Sequence, residues 1–201
     1  YVPRYGNVTE GDKPYLRGFG MQGGAARSRR AESFAQGVGG GDDEGLHGWH
    51  FSLLPFGEVL PDPENRVTLS AVRMDSWGIP VPIIAASHGP NEYAMMRAAA
   101  RDAADMLRAV GCVDITPWEE AAEQLTPPGD RIHEMGTARM GRDPATSVLN
   151  GWGQAHEVPN LFVSDGAVMT SSASVNPSLT YMAIAARAAH HAADLLEQGG
   201  L

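Results

Sequence analysis

Hydrophobic and polar positions along this chain alternate between two periods. From about Asn91 to Val110 the apolar residues Met96, Ala100, Ala103, Leu107 and Val110 recur at helical spacing, with Pro90 near the start and Gly111 just past the end. That pattern predicts an amphipathic helix. Ser178 to about Leu196 repeats it, placing Met182, Ala185, Ala189 and Leu196 on one face, with alanines that suit close approach to neighbouring backbone and Gly199-Gly200 as a stop. Elsewhere the period is two. Trp49 to Leu60 reads as a strand and Pro61-Asp-Pro-Glu-Asn65 as a turn, after which Val67, Leu69 and Ala71 alternate with Arg66, Thr68 and Ser70, so an antiparallel hairpin is expected. Ile79 to Ile84 carries proline at alternate positions, which puts the missing N–H groups on one side and assigns the stretch to a sheet edge. Cys112 to Trp118 and Leu161-Phe-Val163 read as short strands. Residues 1 to about 50 are rich in glycine and polar groups, including Gly37-Val-Gly-Gly-Gly41 before three acidic residues, and predict loops.

Composition narrows the class. A chain of 201 residues can bury one good core or two small ones. The formal net charge of −9 argues against a nucleic-acid partner, since the tight basic cluster Arg27, Arg29 and Arg30 is too short to track a phosphate backbone. Cys112 is the single cysteine, so no internal disulfide can form. No apolar run approaches the roughly 20 residues of a membrane span, and the start shows no signal core. Compartment stays open between cytoplasm and periplasm. The opening at Tyr1 rather than Met suggests a piece of a longer protein, or one chain of a split or processed one.

Several familiar motifs fail on context. Gly18-Phe-Gly20-Met-Gln-Gly23 spells G-x-G-x-x-G, but Gly11-Asp-Lys-Pro-Tyr precedes it and Arg27-Ser-Arg-Arg follows, where a dinucleotide turn needs a buried strand and an amphipathic helix; a flexible loop is the simpler reading. No serine has glycine two positions before and after, so there is no nucleophile elbow. His133-Glu134 begins a zincin motif, yet Thr137 stands at the second histidine position. His47-Gly-Trp-His50, and His190-His191 with Asp194, lack a third convincing ligand, and no metal site is assigned.

The last third holds the chemistry. His133-Glu-Met-Gly-Thr-Ala-Arg-Met-Gly141 sets a histidine, a proton carrier near neutral pH, among turn-forming residues. Val163-Ser-Asp-Gly166 places a carboxylate and a glycine after an apolar strand, where the carboxylate can accept hydrogen bonds from a sugar-like chain and the glycine lets a ligand come close to backbone. In Ser174-Val-Asn-Pro-Ser-Leu-Thr180, Asn176-Pro177 has the form of an N-cap followed by proline at the first helical position, which presents free N–H groups and a positive helix end to an anion. Each feature also has a plain structural explanation, as a packed histidine, a turn or a cap.

Taken in order, His-x-x-Gly-Thr-x-Arg-Met-Gly, Asn-Leu-Phe-Val-x-Asp-Gly, Asn-Pro-Ser-Leu-Thr and a terminal alanine-rich helix resemble the end of glucose-methanol-choline oxidoreductases, strongly from about Ile132 to Leu196. Gly57-Glu-Val-Leu-Pro61, Asn65-Arg-Val-Thr-Leu69 and Asp75-Ser-Trp-Gly-Ile-Pro-Val81 resemble the family's substrate-domain strands more weakly. The resemblance implies a mixed α/β fold. In it, residues 1–130 form part of an α+β substrate-binding domain with an antiparallel sheet and helices, the first 48 being loop-rich. Residues 131–201 carry the catalytic pair and return to a Rossmann-like FAD-binding domain as its terminal strand and helix.

By position in the motifs, the resemblance implies FAD as cofactor, His133 and Asn176 facing the flavin ring, and Asp165 and Gly166 at its ribityl and pyrophosphate region. Pro177 would lie beneath the pyrimidine side, with Ala167, Ser178 and Thr180 nearby. The His–Asn form resembles the pyranose- and glycoside-oxidising branch, whose members act on the CH–OH group of donors. The reaction implied is removal of a secondary hydroxyl proton by His133 with hydride transfer to flavin. The family builds its FAD site around a glycine-rich turn near the amino terminus, so the expected partner is an amino-terminal FAD-binding half, without which the chain should be inactive. A non-catalytic carbohydrate-binding or scaffold module that keeps the fold is the alternative. The sugar, the carbon oxidised, the electron acceptor and the oligomeric state are not fixed by the sequence.

Overall fold

The computed structural model describes residues 1–8, 11, 13–28, 48–123 and 125–200. The fold is mixed α/β, with antiparallel strand pairs and helices in the order β1 (Phe19–Ser28), β2 (Gly48–Gly57), β3 (Arg66–Met74), β4 (Pro80–Ala85), α1 (Pro90–Ala109), α2 (Trp118–Glu123) and α3 (Ser178–Glu197). A 3₁₀ turn, Gly166–Val168, lies before α3. The chain divides into two compact units, residues 1–60 with 88–127, and residues 61–87 with 128–200.

In the first unit β1 pairs antiparallel with β2, from Phe19 opposite Gly57 to Ser28 opposite Gly48. Two expectations change here. The glycine-rich stretch after Gly18 is neither a dinucleotide turn nor a loop but strand, and the partner of β2 is β1 rather than β3. Gly23 shows why the glycines are there: a Cβ at this position would lie 2.8 Å from Leu53 Cδ2 and 3.0 Å from the Ser52 carbonyl oxygen. The spacing serves strand-to-strand approach. Residues 37–47, including His47 and the run Gly37–Gly41, lie outside the described residues, whereas Trp49 and His50 belong to β2.

Helix α1 forms where expected, one residue longer at its start. Its buried stripe runs through Met95, Ala99, Ala100, Ala103, Ala104 and Leu107, rotated from the expected Met96 line, and Val110 is exposed at the C-cap. Tyr15, Phe19 and Met21 meet Met95, Ala99, Ala103 and Leu107 in one apolar core. Residues 112–117 are irregular rather than a strand, and Trp118 opens α2, where the Arg101 guanidinium lies 4.5 Å over its ring.

The start of α1 is held by a buried carboxylate. Glu92 accepts the Gly89 N–H (2.8 Å), the Leu60 N–H (3.0 Å) and an Asn91 amide hydrogen (3.3 Å). Gly89 has no side chain to return the bond, so this is half of a capping box. Burial works to raise the Glu92 pKa, but the Leu60 and Gly89 N–H groups and the Asn91 amide outweigh it and hold the carboxyl below its usual value.

The second unit begins with the β3–β4 hairpin. Val67 faces Ile84 and Leu69 faces Pro82, and the register slips between Leu69 and Met74. Ser70 Oγ accepts the N–H groups of Val72 (3.2 Å) and Arg73 (2.8 Å), which fixes that bulge. As its prolines require, β4 is an edge strand. Leu161–Val163 is not a strand but a single bridge, Gln154 to Phe162. Leu149, Ala155 and Val168 form the core here, against Met140, Val163, Met169 and Ile184. Helix α3 packs through Tyr181, Ile184, Ala185, Ala188, His191 and Leu195, so Met182, Ala189 and Leu196, expected inside, are exposed. No described helix is long and apolar enough to cross a membrane.

Glu92→Gln should lower stability by about 1–3 kcal/mol at pH 7, because three donors lose a charged acceptor inside the fold. A group whose folded pKa is depressed stabilises above its unfolded pKa, near 4.3, and that stability drains as pH falls through the folded value. Urea melts should therefore show the gap between wild type and variant narrowing below about pH 4; a gap independent of pH would remove the carboxylate from this role.

Candidate active site

Three segments far apart in sequence meet at Gly166. The first is the loop carrying His133, a half-buried residue whose φ of 79° lies in the left-handed region, followed by Gly136 at φ 88°. Among the described residues its ring nitrogens have no hydrogen-bond partner. The second is the Asp165 turn. Asp165 accepts the Ala167 N–H on its own side-chain oxygen (2.8 Å), and the Met169 N–H closes on the Gly166 carbonyl (3.1 Å), so the aspartate shapes the 3₁₀ turn locally.

Backbone bonds tie these two together. The Gly136 N–H reaches the Gly166 carbonyl (3.4 Å), the Ala138 N–H the Ala167 carbonyl (3.0 Å) and the Met140 N–H the Val168 carbonyl (2.9 Å). The third segment is the first turn of α3. A Cβ on Gly166 would lie 2.8 Å from Tyr181 Oη and 3.2 Å from the Glu134 carbonyl oxygen, the residue after His133. Gly166 thus does admit a close neighbour, but on its Cβ side that neighbour is protein. Tyr181 was missed from sequence because the alanine-rich helix permits several faces; taking i, i+3, i+4 and i+7 from Tyr181 recovers the packed one.

The start of α3 differs by one position from the expected cap. Pro177, buried, is the N-cap with φ −94°, and Asn176 stands exposed just before it. The first intrahelical bond runs from the Tyr181 N–H to the Pro177 carbonyl (3.0 Å). The N–H groups of Ser178, Leu179 and Thr180 precede it and have no intrahelical acceptor. All three residues are exposed, so the positive end of a 20-residue helix opens outward.

Further along, α3 is clamped to the segment before the turn. Arg187 donates to the Gly151 carbonyl and lies 4.8 Å over Trp152, and His191 stacks on Trp152 at 4.5 Å with Phe162 edge-on at 6.4 Å. His191 is thereby a packing residue. Ser147 donates to the Asp143 carbonyl (2.8 Å), so the 3.0 Å contact with His156 Nε2 requires the imidazole to be the donor. That pair ties a loop and is not a nucleophile with its base. Among the described residues no group of His, Cys, Asp and Glu could hold a metal ion.

The family model described as GMC oxidoreductase matches residues 61–185, well over half of the chain. The chain belongs to the GMC oxidoreductase family. Among its relatives, 2-methyl-1,2-propanediol dehydrogenase of Mycolicibacterium austroafricanum is 35% identical over 90% of this chain and 33% of its own length. The fructose dehydrogenase large subunit of Gluconobacter japonicus is 38% identical over 71% of this chain and 25% of its own. Paromamine 6′-oxidase of Streptomyces fradiae is 36% identical over 64% of this chain and 23% of its own. This chain therefore spans a third or less of the length of these relatives.

Gly166→Ala should destabilise the second unit by about 1–3 kcal/mol, because the carbonyl of Glu134 cannot move aside as a side-chain end can. Tyr181→Phe removes the nearer oxygen and should recover part of that loss, so the double variant should be more stable than the sum of the single changes in urea melts. Strict additivity would show that the three segments do not press on one another at this glycine.

Proposed function

We propose that this chain is the carboxy-terminal, substrate-facing part of an FAD-dependent enzyme that oxidises a secondary hydroxyl of a sugar or glycoside. The observation that carries the reading is the meeting of the His133 loop, the Asp165 turn and the opened end of α3 around Gly166. A proton acceptor, a carboxylate and a positive helix end then belong to one region of one unit.

The donor set suits the ring end of FAD. The positive end of α3, whose first N–H groups have no intrahelical acceptor, would stabilise an electron-rich ring that gains negative charge on reduction, without reorientation at that moment. Pro177, Ser178 and Thr180, with Ala167 nearby, are the residues that would hold the ring, while Asp165 would accept hydrogen bonds from the ribityl chain and Gly166 would let it come close to the backbone. The glycine-rich turn that such a site needs for the phosphates would come from the amino-terminal half, because Phe19–Gly23 here is strand. When bound, FAD supplies the acceptor for the hydrogen and electron pair that leave the carbinol carbon. His133 takes the hydroxyl proton at an imidazole nitrogen, and Asn176 holds the same oxygen in line.

Two relatives named for fructose and paromamine favour a sugar or glycoside. The relative matched along most of this chain is named for a 1,2-diol, which favours a second reading with a small diol as substrate. Comparing kcat/KM on sugars with that on a 1,2-diol separates the two.

In the complete enzyme, His133→Gln should reduce kcat by about 10²–10⁴-fold, the usual worth of a positioned base, while the flavin absorbance per protein stays unchanged. Full turnover in the variant would take His133 out of the reaction. A colourless protein from co-expression with the amino-terminal half would instead support the non-catalytic carbohydrate-binding or scaffold module.

A further inference from the structure

The β3–β4 hairpin has two edges of unlike chemistry. Pro82 has no N–H and stands opposite Leu69, so the pair is a non-hydrogen-bonded one, and the ladder bonds run between Thr68 and Ile83 and between Arg66 and Ala85. Parity then fixes the rest. Pro80, Pro82 and Ile84 turn their backbone groups to the outer edge of β4, where two of these three positions lack a donor. Val67 and Leu69 turn theirs to the outer edge of β3, where both N–H groups and both carbonyls remain. Beyond Leu69 the strand leaves regular pairing at the bulge held by Ser70. Among the described residues β3 pairs with β4 alone.

One edge is thus blunted by proline, the usual guard against unwanted pairing, and the other is left competent. Cross-strand partners share a face, so Val67, Leu69 and Ile84 lie together, exposed at 47%, 68% and 75%. A two-stranded ribbon with a bare apolar face is marginal in water and gains stability from a third strand. These relatives are three or more times as long as the part this chain matches, which supplies polypeptide to fill the place.

We propose that the outer edge of β3 is the docking edge for an extended segment of the amino-terminal remainder of the enzyme. It joins as a third strand through Val67 and Leu69 and lays alternate apolar side chains beside Val67, Leu69 and Ile84. The proposal rests on the reading that this chain works together with an amino-terminal half.

The test is hydrogen exchange at the Val67 and Leu69 amides, in this chain alone and in the complete protein, with flavin absorbance read separately. Both amides should exchange at least 100-fold more slowly in the complete protein, and equal rates in the two samples overturn the proposal. Protection that appears in the isolated chain and rises with its concentration would name a second copy as the occupant and overturns it too. Leu69→Pro should weaken capture of the amino-terminal half at least tenfold, whereas Ile84→Pro, on the edge already blunted, should change it less than twofold; equal effects overturn the assignment of the edge. Slow exchange in a protein without flavin upholds the strand and sinks the flavoenzyme reading, and flavin with fast exchange does the reverse.

Discussion

The meeting of the histidine loop, the Asp165 turn and the last helix in the second unit depends on one missing side chain. At Gly166 the space that a Cβ would fill is taken by the Tyr181 hydroxyl and the Glu134 carbonyl, so the turn, the histidine loop and the last helix can approach closely. The carbonyls of Gly166, Ala167 and Val168 then satisfy the N–H groups of Gly136, Ala138 and Met140. Packing and hydrogen bonding point the same way, which is how a site built from loops can be rigid without a sheet beneath it. The Arg187 and His191 contacts on Trp152 hold the far end of α3 and so fix the direction in which its first turn looks.

Long periodic elements were legible in the sequence, and partners were not. Helices α1 and α3 fall within two residues of the expected bounds because their ends carry proline and glycine and their apolar spacing spans many turns. Their faces were less certain, since alanine adds little contrast: Met95 and Met96 are adjacent, and only the core of Tyr15, Phe19 and Met21 selects the first. The edge position of β4 followed from the prolines, a covalent fact that no context reverses. By contrast, β2 and β3 were joined because they are consecutive. The partner that β2 takes instead is β1, whose glycines look like loop until Leu53 and Ser52 are seen packed against Gly23.

The candidate site shows the same division. The residue types and their order were readable, and so was the positive end of α3. Moving the cap from Asn176 to Pro177 was not readable, because either residue can precede a helix; yet the shift matters, since it places the carboxamide outside the helix rather than at its N-cap. Tyr181 was hidden by the phase of the helix, and so was the close packing of protein against the Cβ side of Gly166.

The chemistry is also unevenly divided. On the proposed reading the first turn of α3 offers donors suited to an electron-rich ring, while the glycine-rich stretch after Gly18 is spent on strand packing. A chain that binds only one end of a long cofactor holds it weakly, since the ordering cost falls on few contacts. On the proposed reading binding and catalysis would be linked: the half that grips the phosphates would fix the ring, and the half described here would supply the base and the field that respond to it. Assembly of the two halves would therefore set activity through the position of the ring, with the loop that carries the proposed base, His133, already tied by backbone bonds to the turn at Gly166.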